Sequence, residues 1–282
     1  MFIPPSELII NPDKSIYHLN LKPDEIADTI ITVGDPERVS MVAAHLDKIH
    51  LDKSKREFRT VTGELAGKAL TIISTGIGTD NIDIVFNELD ALANIDFETR
   101  IVNEQHRQLT FIRIGTSGAI SRDIPLDSFI ASQHAIGFDG LLNFYDSDKV
   151  RNKQLEAQIS TPLNFYAVDG DAALIAKFSE FSSPGLTITA NGFYGPQSRN
   201  LRLRHNFNFD QLVEQVSYQG LTPTNLEMET AGIYGMAALL GHKAISLNAI
   251  LANRVTQEFS SKPSVTVESL IEKSIGIISD YL

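Results

Sequence analysis

The sequence predicts an α/β fold with helices on both faces of a sheet, and three observations carry that prediction. Short β-branched runs alternate with helical patterns along the chain. The runs Ile30-Ile31-Thr32-Val33 and Leu70-Thr71-Ile72-Ile73 are apolar on both faces, as strands are when helices shield a sheet from both sides. No repeat, low-complexity tract or Gly/Ser linker marks a boundary in the 282 residues. A single three-layer domain spanning 1–282 is therefore expected, long enough to bury a sizeable core.

The elements follow in order. Residues 29–33 read as a strand, Gly34-Asp35-Pro36 as the turn after it, and 36–46 as a helix. Pro36 suits the first helical position, where its missing N–H costs nothing. A second strand at 69–74 leads through Ser74-Thr75-Gly76-Ile77-Gly78-Thr79 to a helix at 82–93. The polar stretch 94–109 is expected on the surface, joining that helix to a strand at 110–114. Further strands are expected at 128–132, 186–190 and 244–250, and further helices at 172–178, 210–217, 227–240 and 265–281.

Composition narrows the partners. There are 24 Lys+Arg against 35 Asp+Glu, a formal net charge of −11. An acidic surface argues against nucleic acid, whose phosphates need a basic face, but not against a small anion held by local arginines. With no cysteine, disulfide and thiolate chemistry are excluded, which fits a reducing compartment. The start Met1-Phe2-Ile3-Pro4-Pro5-Ser6-Glu7 lacks the basic and apolar regions of a secretion signal. No apolar run approaches the ~20 residues needed to span a bilayer. The expectation is a cytoplasmic protein without a membrane partner.

Three turns after strands suggest anion binding. At Gly34 the backbone can approach a ligand closely, the helix start offers free N–H groups, and Arg38 lies one turn in. The same pattern also fits a plain turn with Asp35 as cap and Arg38 in solvent. Arg113 stands at the end of an apolar strand before Gly115-Thr116-Ser117-Gly118. An arginine there needs an anionic partner, either a ligand or a buried carboxylate. None of these turns matches the P-loop or the dinucleotide-binding pattern.

Two further stretches suit a nucleoside. Glu227-Met228-Glu229 enters an apolar helical run, where carboxylates are costly to bury without partners. Ribose hydroxyls would donate to them, and Met228 can pack on a sugar face. The alternative is an exposed first helical turn, where acids favour the helix dipole. Phe193 can stack on a base, the Gln197 amide offers a donor and an acceptor, and Arg199 can donate to a carbonyl. These three also fit a solvated Gly/Pro loop.

Taken together, the chain resembles the nucleoside phosphorylases of the uridine phosphorylase and hexameric purine nucleoside phosphorylase type. The resemblance runs from Ile16-Tyr17-His18-Leu19 to Asn253-Arg254-Val255-Thr256-Gln257-Glu258. It rests on His18, Gly34-Asp35-Pro36-Glu37-Arg38, Arg56-Glu57-Phe58, Ser74-Thr75-Gly76-Ile77-Gly78, Arg113-Ile114-Gly115-Thr116, the 193–199 loop, Glu227-Met228-Glu229 and Asn253-Arg254. It implies a central mixed sheet and reversible phosphorolysis of uridine to uracil and ribose 1-phosphate.

The resemblance also implies residue roles. Gly34, Arg38, Arg113 and Thr116 would hold phosphate, joined by Arg56 from a neighbouring subunit. Ribose would meet Thr116, Glu227, Met228 and Glu229, with His18 reaching its 5′-hydroxyl across the interface. Phe193, Gln197 and Arg199 would recognise uracil, and Arg113, Arg199 and Glu229 would carry catalysis. A homo-oligomer with sites shared across a dimer interface follows, compatible with a hexamer. The purine enzymes protonate their leaving group with an aspartate from the loop that here reads Ala190-Asn191-Gly192-Phe193, without that acid. Phosphate is a co-substrate, and no cofactor or catalytic metal is implied. Some relatives hold a monovalent cation at the interface; Glu57 and Ile77 match that site, and Asn81 does not. Thr79-Asp80-Asn81, Gly195-Pro196 and Leu226 depart from the usual pattern. A purine nucleoside phosphorylase, a nucleosidase using water and a non-catalytic nucleoside-binding protein are the competing readings.

Overall fold

The computed structural model describes residues 2–207 and 209–281. Its first half holds β1 (Thr29–Val33), α1 (Pro36–Ala43), β2 (Lys48–Lys55), β3 (Phe58–Leu65), β4 (Lys68–Ser74), α2 (Thr79–Asn94) and a small hairpin of β5 (Ile95–Asp96) and β6 (Ile101–Val102). There follow β7 (Thr110–Ala119), β8 (Phe129–Gly137), α3 (Lys153–Glu156), β9 (Tyr166–Asp169), α4 (Ala172–Phe178) and β10 (Ser183–Thr189). The chain closes with α5 (Phe209–Gln215), β11 (Pro223–Glu227), α6 (Thr230–Leu239), β12 (Lys243–Asn253), β13 (Glu258–Phe259) and α7 (Pro263–Tyr281).

All strands except the β5–β6 hairpin join one mixed sheet, in the order β13-β12-β8-β10-β11-β7-β1-β4-β3-β2, with β9 beside β8. β1 runs parallel to both β4 and β7, and β7 runs parallel to β12. Because β12 also pairs with β8, and β11 returns to the far end of β7 at Gly118 and Ala119, half of the sheet closes into a ring.

Two apolar layers follow from the period-2 alternation of the central strands. Ile30 and Phe111 face α2 and α6. Their neighbours Ile31 and Ile112 face α1, α4 and α7. This is the expected sheet covered on both sides. α6 is buried from Thr230 to Ala237, which explains its lack of a polar face. No helix among the described residues is long and apolar enough to cross a membrane.

Two differences from the expected elements matter for the site. β7 does not end at residue 114. Gly115 to Ala119 continue the strand, paired with Asn248 to Asn253 of β12, so the glycines form no turn and part of their backbone is already engaged. The helix expected at 227–240 begins at Thr230. Glu227 instead ends β11, opposite Thr189 of β10, because its buried carboxylate bonds to the helix start rather than extending it.

Candidate active site

One cavity of about 690 Å³ lies where the ends of β1, β4, β10 and β11 meet the middle of β7, as sites in open α/β sheets do. Gly34, Arg38, Arg113, Thr116, Phe193, Gln197, Arg199, Glu227, Met228 and Glu229 all line it. Segments up to 195 residues apart in sequence, from Gly34 to Glu229, thus converge on one volume.

Arg113 is the centre of the charged part and is buried. Its Nη2 donates to Glu229 Oε2 at 2.6 Å and lies 3.2 Å from Glu227 Oε2. Nη1 donates to Asn248 Oδ1 at 3.0 Å and to Ser246 Oγ at 3.3 Å. Burial works against the charge of Arg113, but Glu227 and Glu229 more than offset it, and its pKa stands above the ordinary arginine value. Both possibilities left open for this arginine therefore meet here: it has carboxylate partners, and it still lines the cavity. Asn248 and Ser246 sit in the middle of β12, in register with Gly115 and Arg113. Their positions in an otherwise apolar strand were the only signal of this role.

Glu227 and Glu229 are both buried, which rules out an exposed helical turn. Glu229 accepts the Gly78 N–H at 2.8 Å besides its bond from Arg113. Burial raises the Glu229 pKa, Arg113 opposes this, and the nearby Glu227 charge adds to the rise. Two carboxylates around one guanidinium leave an excess negative charge that the site must accommodate.

Arg38 is half-buried and has no carboxylate within ion-pair distance among the described residues. Burial, reinforced by the like charge of Arg113, pushes its pKa below the ordinary arginine value. A partly desolvated arginine facing a second arginine is an arrangement that an anion would relieve. Asp35 accepts from Glu37 N at 2.8 Å and so caps α1, as the plain-turn alternative has it. Arg38 departs from that alternative. A Cβ at Gly34 would meet nothing closer than Gly76 O at 3.5 Å, so the space left there faces the cavity rather than the protein.

The loop after β10 carries the polar end. Gln197 is buried in the 3-10 turn Gly195–Gln197. Arg199 donates to the Phe193 carbonyl at 3.1 Å and to Gln197 Oε1. Its guanidinium also lies 3.9 Å from the Phe193 ring centroid. One face of the ring is thus taken by a cation, and the ring remains about half exposed. Burial and the neighbouring Arg254 lower the Arg199 pKa.

His18 and Arg56 do not line the cavity of their own chain. His18 Nδ1 lies 2.6 Å from Glu88 Oε1. Arg56 is exposed in the β2–β3 turn at φ 56°. Lys55 donates to the Tyr17 carbonyl, tying the two segments to each other.

Neither possible cation site is complete. Glu57, Ile77 and Asn81 meet at the cavity rim, but Glu57 is exposed and is the one carboxylate among them. Elsewhere, Asp90, His106 and His242 cluster within 4.8 Å of one another. The Leu109 N–H donates to His242 Nδ1 at 3.2 Å, so the neutral ring carries its proton on Nε2, which faces Asp90 at 3.1 Å. A metal would need that same Nε2 lone pair.

The chain is similar to known proteins over most of its length. The family model described as "Phosphorylase superfamily" matches residues 28–281. A uridine phosphorylase of Thermococcus kodakarensis is 27% identical over 272 residues, covering 94% of this chain and 87% of the relative. A uridine phosphorylase of Klebsiella aerogenes is 31% identical over 254 residues, covering 86% and 88%. Among solved structures, a Trypanosoma brucei nucleoside phosphorylase reported to show uridine phosphorylase activity superposes with a TM-score of 0.81 at 26% identity, covering 96% of this chain and 98% of the other.

Proposed function

Because the chain belongs to the phosphorylase superfamily, we propose that it catalyses nucleoside + phosphate ⇌ free base + ribose 1-phosphate, with uridine as the nucleoside. The enzyme is then a pentosyltransferase, and residues 1–282 act as one domain. The observation that carries the reading is the shared cavity, lined by Arg38, Arg113 and Glu229 together with the Phe193–Gln197–Arg199 cluster.

The chemistry asks little beyond placement. Phosphate is already an anionic nucleophile, so no base is needed to activate it. Arg38, Arg113, Thr116 and the Gly34 backbone hold phosphate, with Arg56 from a neighbouring subunit. As the glycosidic bond loosens, the sugar gains oxocarbenium character. Glu229 fixes the 2′ and 3′ hydroxyls while Met228 packs on the ring and the neighbour's His18 meets the 5′-hydroxyl. Gln197 and Arg199 accept the charge that develops on departing uracil. Rate enhancement comes from positioning and preorganised electrostatics. The dimer is the minimal unit in this reading, with a trimer of dimers compatible with it.

Uracil release from uridine, assayed with and without phosphate, tests the reaction. Release should require phosphate, and Arg113→Ala should raise the phosphate KM and lower kcat. Phosphate-independent release would make the enzyme a nucleosidase, and faster cleavage of inosine or adenosine would make it a purine enzyme. Binding without release would leave only a nucleoside-binding protein.

A further inference from the structure

Glu227 lines the cavity, yet most of its acceptor capacity is spent within the protein. Its side chain is 2% exposed. Oε1 accepts from Thr189 Oγ1 at 2.6 Å and from Thr230 N at 3.1 Å. Oε2 accepts from Glu229 N and Thr230 N, both at 2.9 Å, and lies 3.2 Å from Arg113 Nη2. A carboxylate has about four acceptor sites; three donors, one of them shared by both oxygens, and the Arg113 guanidinium engage Glu227.

Glu229 is less engaged, accepting among the described residues only from the Gly78 N–H and Arg113. It stands at the N-cap of α6, yet its side chain makes no capping bond. Glu227 supplies that cap from the end of β11, taking the first free N–H groups of the helix. If Glu229 capped its own helix, its carboxylate would be spent. The cap from Glu227 leaves it free to face the cavity. Thr189 completes the arrangement. It is fully buried, lies opposite Glu227 in register, and its Oγ1 also accepts the Ala231 N–H at 2.9 Å. One hydroxyl thus links the carboxylate to the helix it caps.

We propose that Glu227, locked by Thr189, is a positioning residue: it caps α6 and holds the Arg113 guanidinium, so that Glu229 alone of the two acids reaches the sugar. The proposal rests on the phosphorolysis reading above and revises the expectation that Glu227 itself binds ribose.

The test is initial-rate kinetics of the full chain with uridine and 2′-deoxyuridine at varied phosphate. Glu227→Gln should lower kcat/KM by ~10- to 100-fold, the scale of losing one buried hydrogen bond to a charged group, and raise the phosphate KM. Its uridine to 2′-deoxyuridine preference should match the wild type, whereas Glu229→Gln should change that preference. Thr189→Val should lose about tenfold, the scale of one buried charge-assisted hydrogen bond, and Thr189→Ser should restore it. The Thr189 pair decides the matter even where Glu227→Gln does not fold. A shifted sugar preference in Glu227→Gln, a wild-type Thr189→Val, or a Thr189→Ser as impaired as Thr189→Val would each overturn the proposal. If the wild type releases no uracil, the phosphorolysis reading fails instead. Calorimetric titration with phosphate then decides the positioning role: weakening by Thr189→Val but not by Thr189→Ser supports it, and unchanged binding in both refutes it.

Discussion

The guanidinium of Arg113 lies directly over Gly115, two residues further along the same strand. A Cβ at position 115 would fall 2.0 Å from Nη1 and 2.4 Å from Cζ. Side chains at i and i+2 share a face of a strand, so a bare position is what allows Arg113 to fold back towards Asn248 and Glu229. Gly115→Ala should therefore displace the guanidinium while leaving the strand intact. Misplacement of about 1 Å costs on the order of a hundredfold in rate. A loss of that size in kcat/KM for phosphate, with circular dichroism unchanged, is the expected outcome. Wild-type phosphate kinetics would show that Arg113 is not used where it stands.

Glu229 should trade stability for function. Its pKa is raised by burial and by Glu227 against the pull of Arg113, so folding favours its protonated form. That contribution is fully present below the unfolded-state pKa of about 4.3 and is lost as pH rises through the higher folded value. Glu229→Gln should therefore gain stability relative to the wild type as pH rises through this window. Activity should fall by ~100- to 1000-fold, the scale of losing one preorganised group at a developing charge. In the wild type, kcat/KM for uridine should drop below a pH that lies above the ordinary glutamate range. That limb should vanish in Glu229→Gln, whereas a limb set by phosphate itself would survive.

The 193–199 loop should govern the base and not the phosphate. Arg199 packs on Phe193 and bonds to Gln197, so the three form one polar cluster. Gln197→Ala and Arg199→Ala should each depress uridine cleavage strongly, because a site built to hydrogen-bond a polar edge discriminates sharply once its groups are unpaired. The phosphate KM should stay within about twofold of the wild type, less than the cost of one hydrogen bond. A parallel rise in both Michaelis constants would mean that the loop supports the whole cavity instead.

Arg56 and His18 should serve a neighbour. Both lie off their own cavity, and the segments carrying them are joined through Lys55 and Tyr17. Mixing inactive Arg56→Ala with inactive Glu229→Ala subunits, under conditions of subunit exchange, should restore activity. Each mixed dimer would then hold one site with both wild-type groups. No recovery despite measured exchange, or full activity in a monomer, would end the shared-site reading.

Much of this molecule was legible in its sequence for a simple reason. Buried strands and amphipathic helices announce themselves by period, as Ile30-Ile31 and Leu70-Ile72 do. The missed strands lack that signature. β2 runs Lys48 to Lys55 with four charged residues among eight, as an exposed edge strand can. β11 reads Pro223-Thr224-Asn225-Leu226-Glu227 and is buried throughout. Several of its polar groups are satisfied by distant partners: Asn225 by Thr187 and Ser117, Thr224 by the Leu186 carbonyl. No local pattern encodes such pairings.

The same division holds for the site. The sequence by itself determined the α/β class, the acidic surface, and ten of the residues that line the cavity, because chemistry-bearing side chains stand out against apolar strands. Only the tertiary structure decided what each group does with its hydrogen-bonding capacity. It extended β7 through Gly115 because β12 pairs alongside, and moved Glu227 from a helix to a strand end. It also spent that carboxylate on a helix cap while leaving Glu229, which lines the cavity, with fewer protein partners. Those outcomes depend on which donors lie within about 3 Å, a relation among residues far apart in the chain that one-dimensional spacing does not contain.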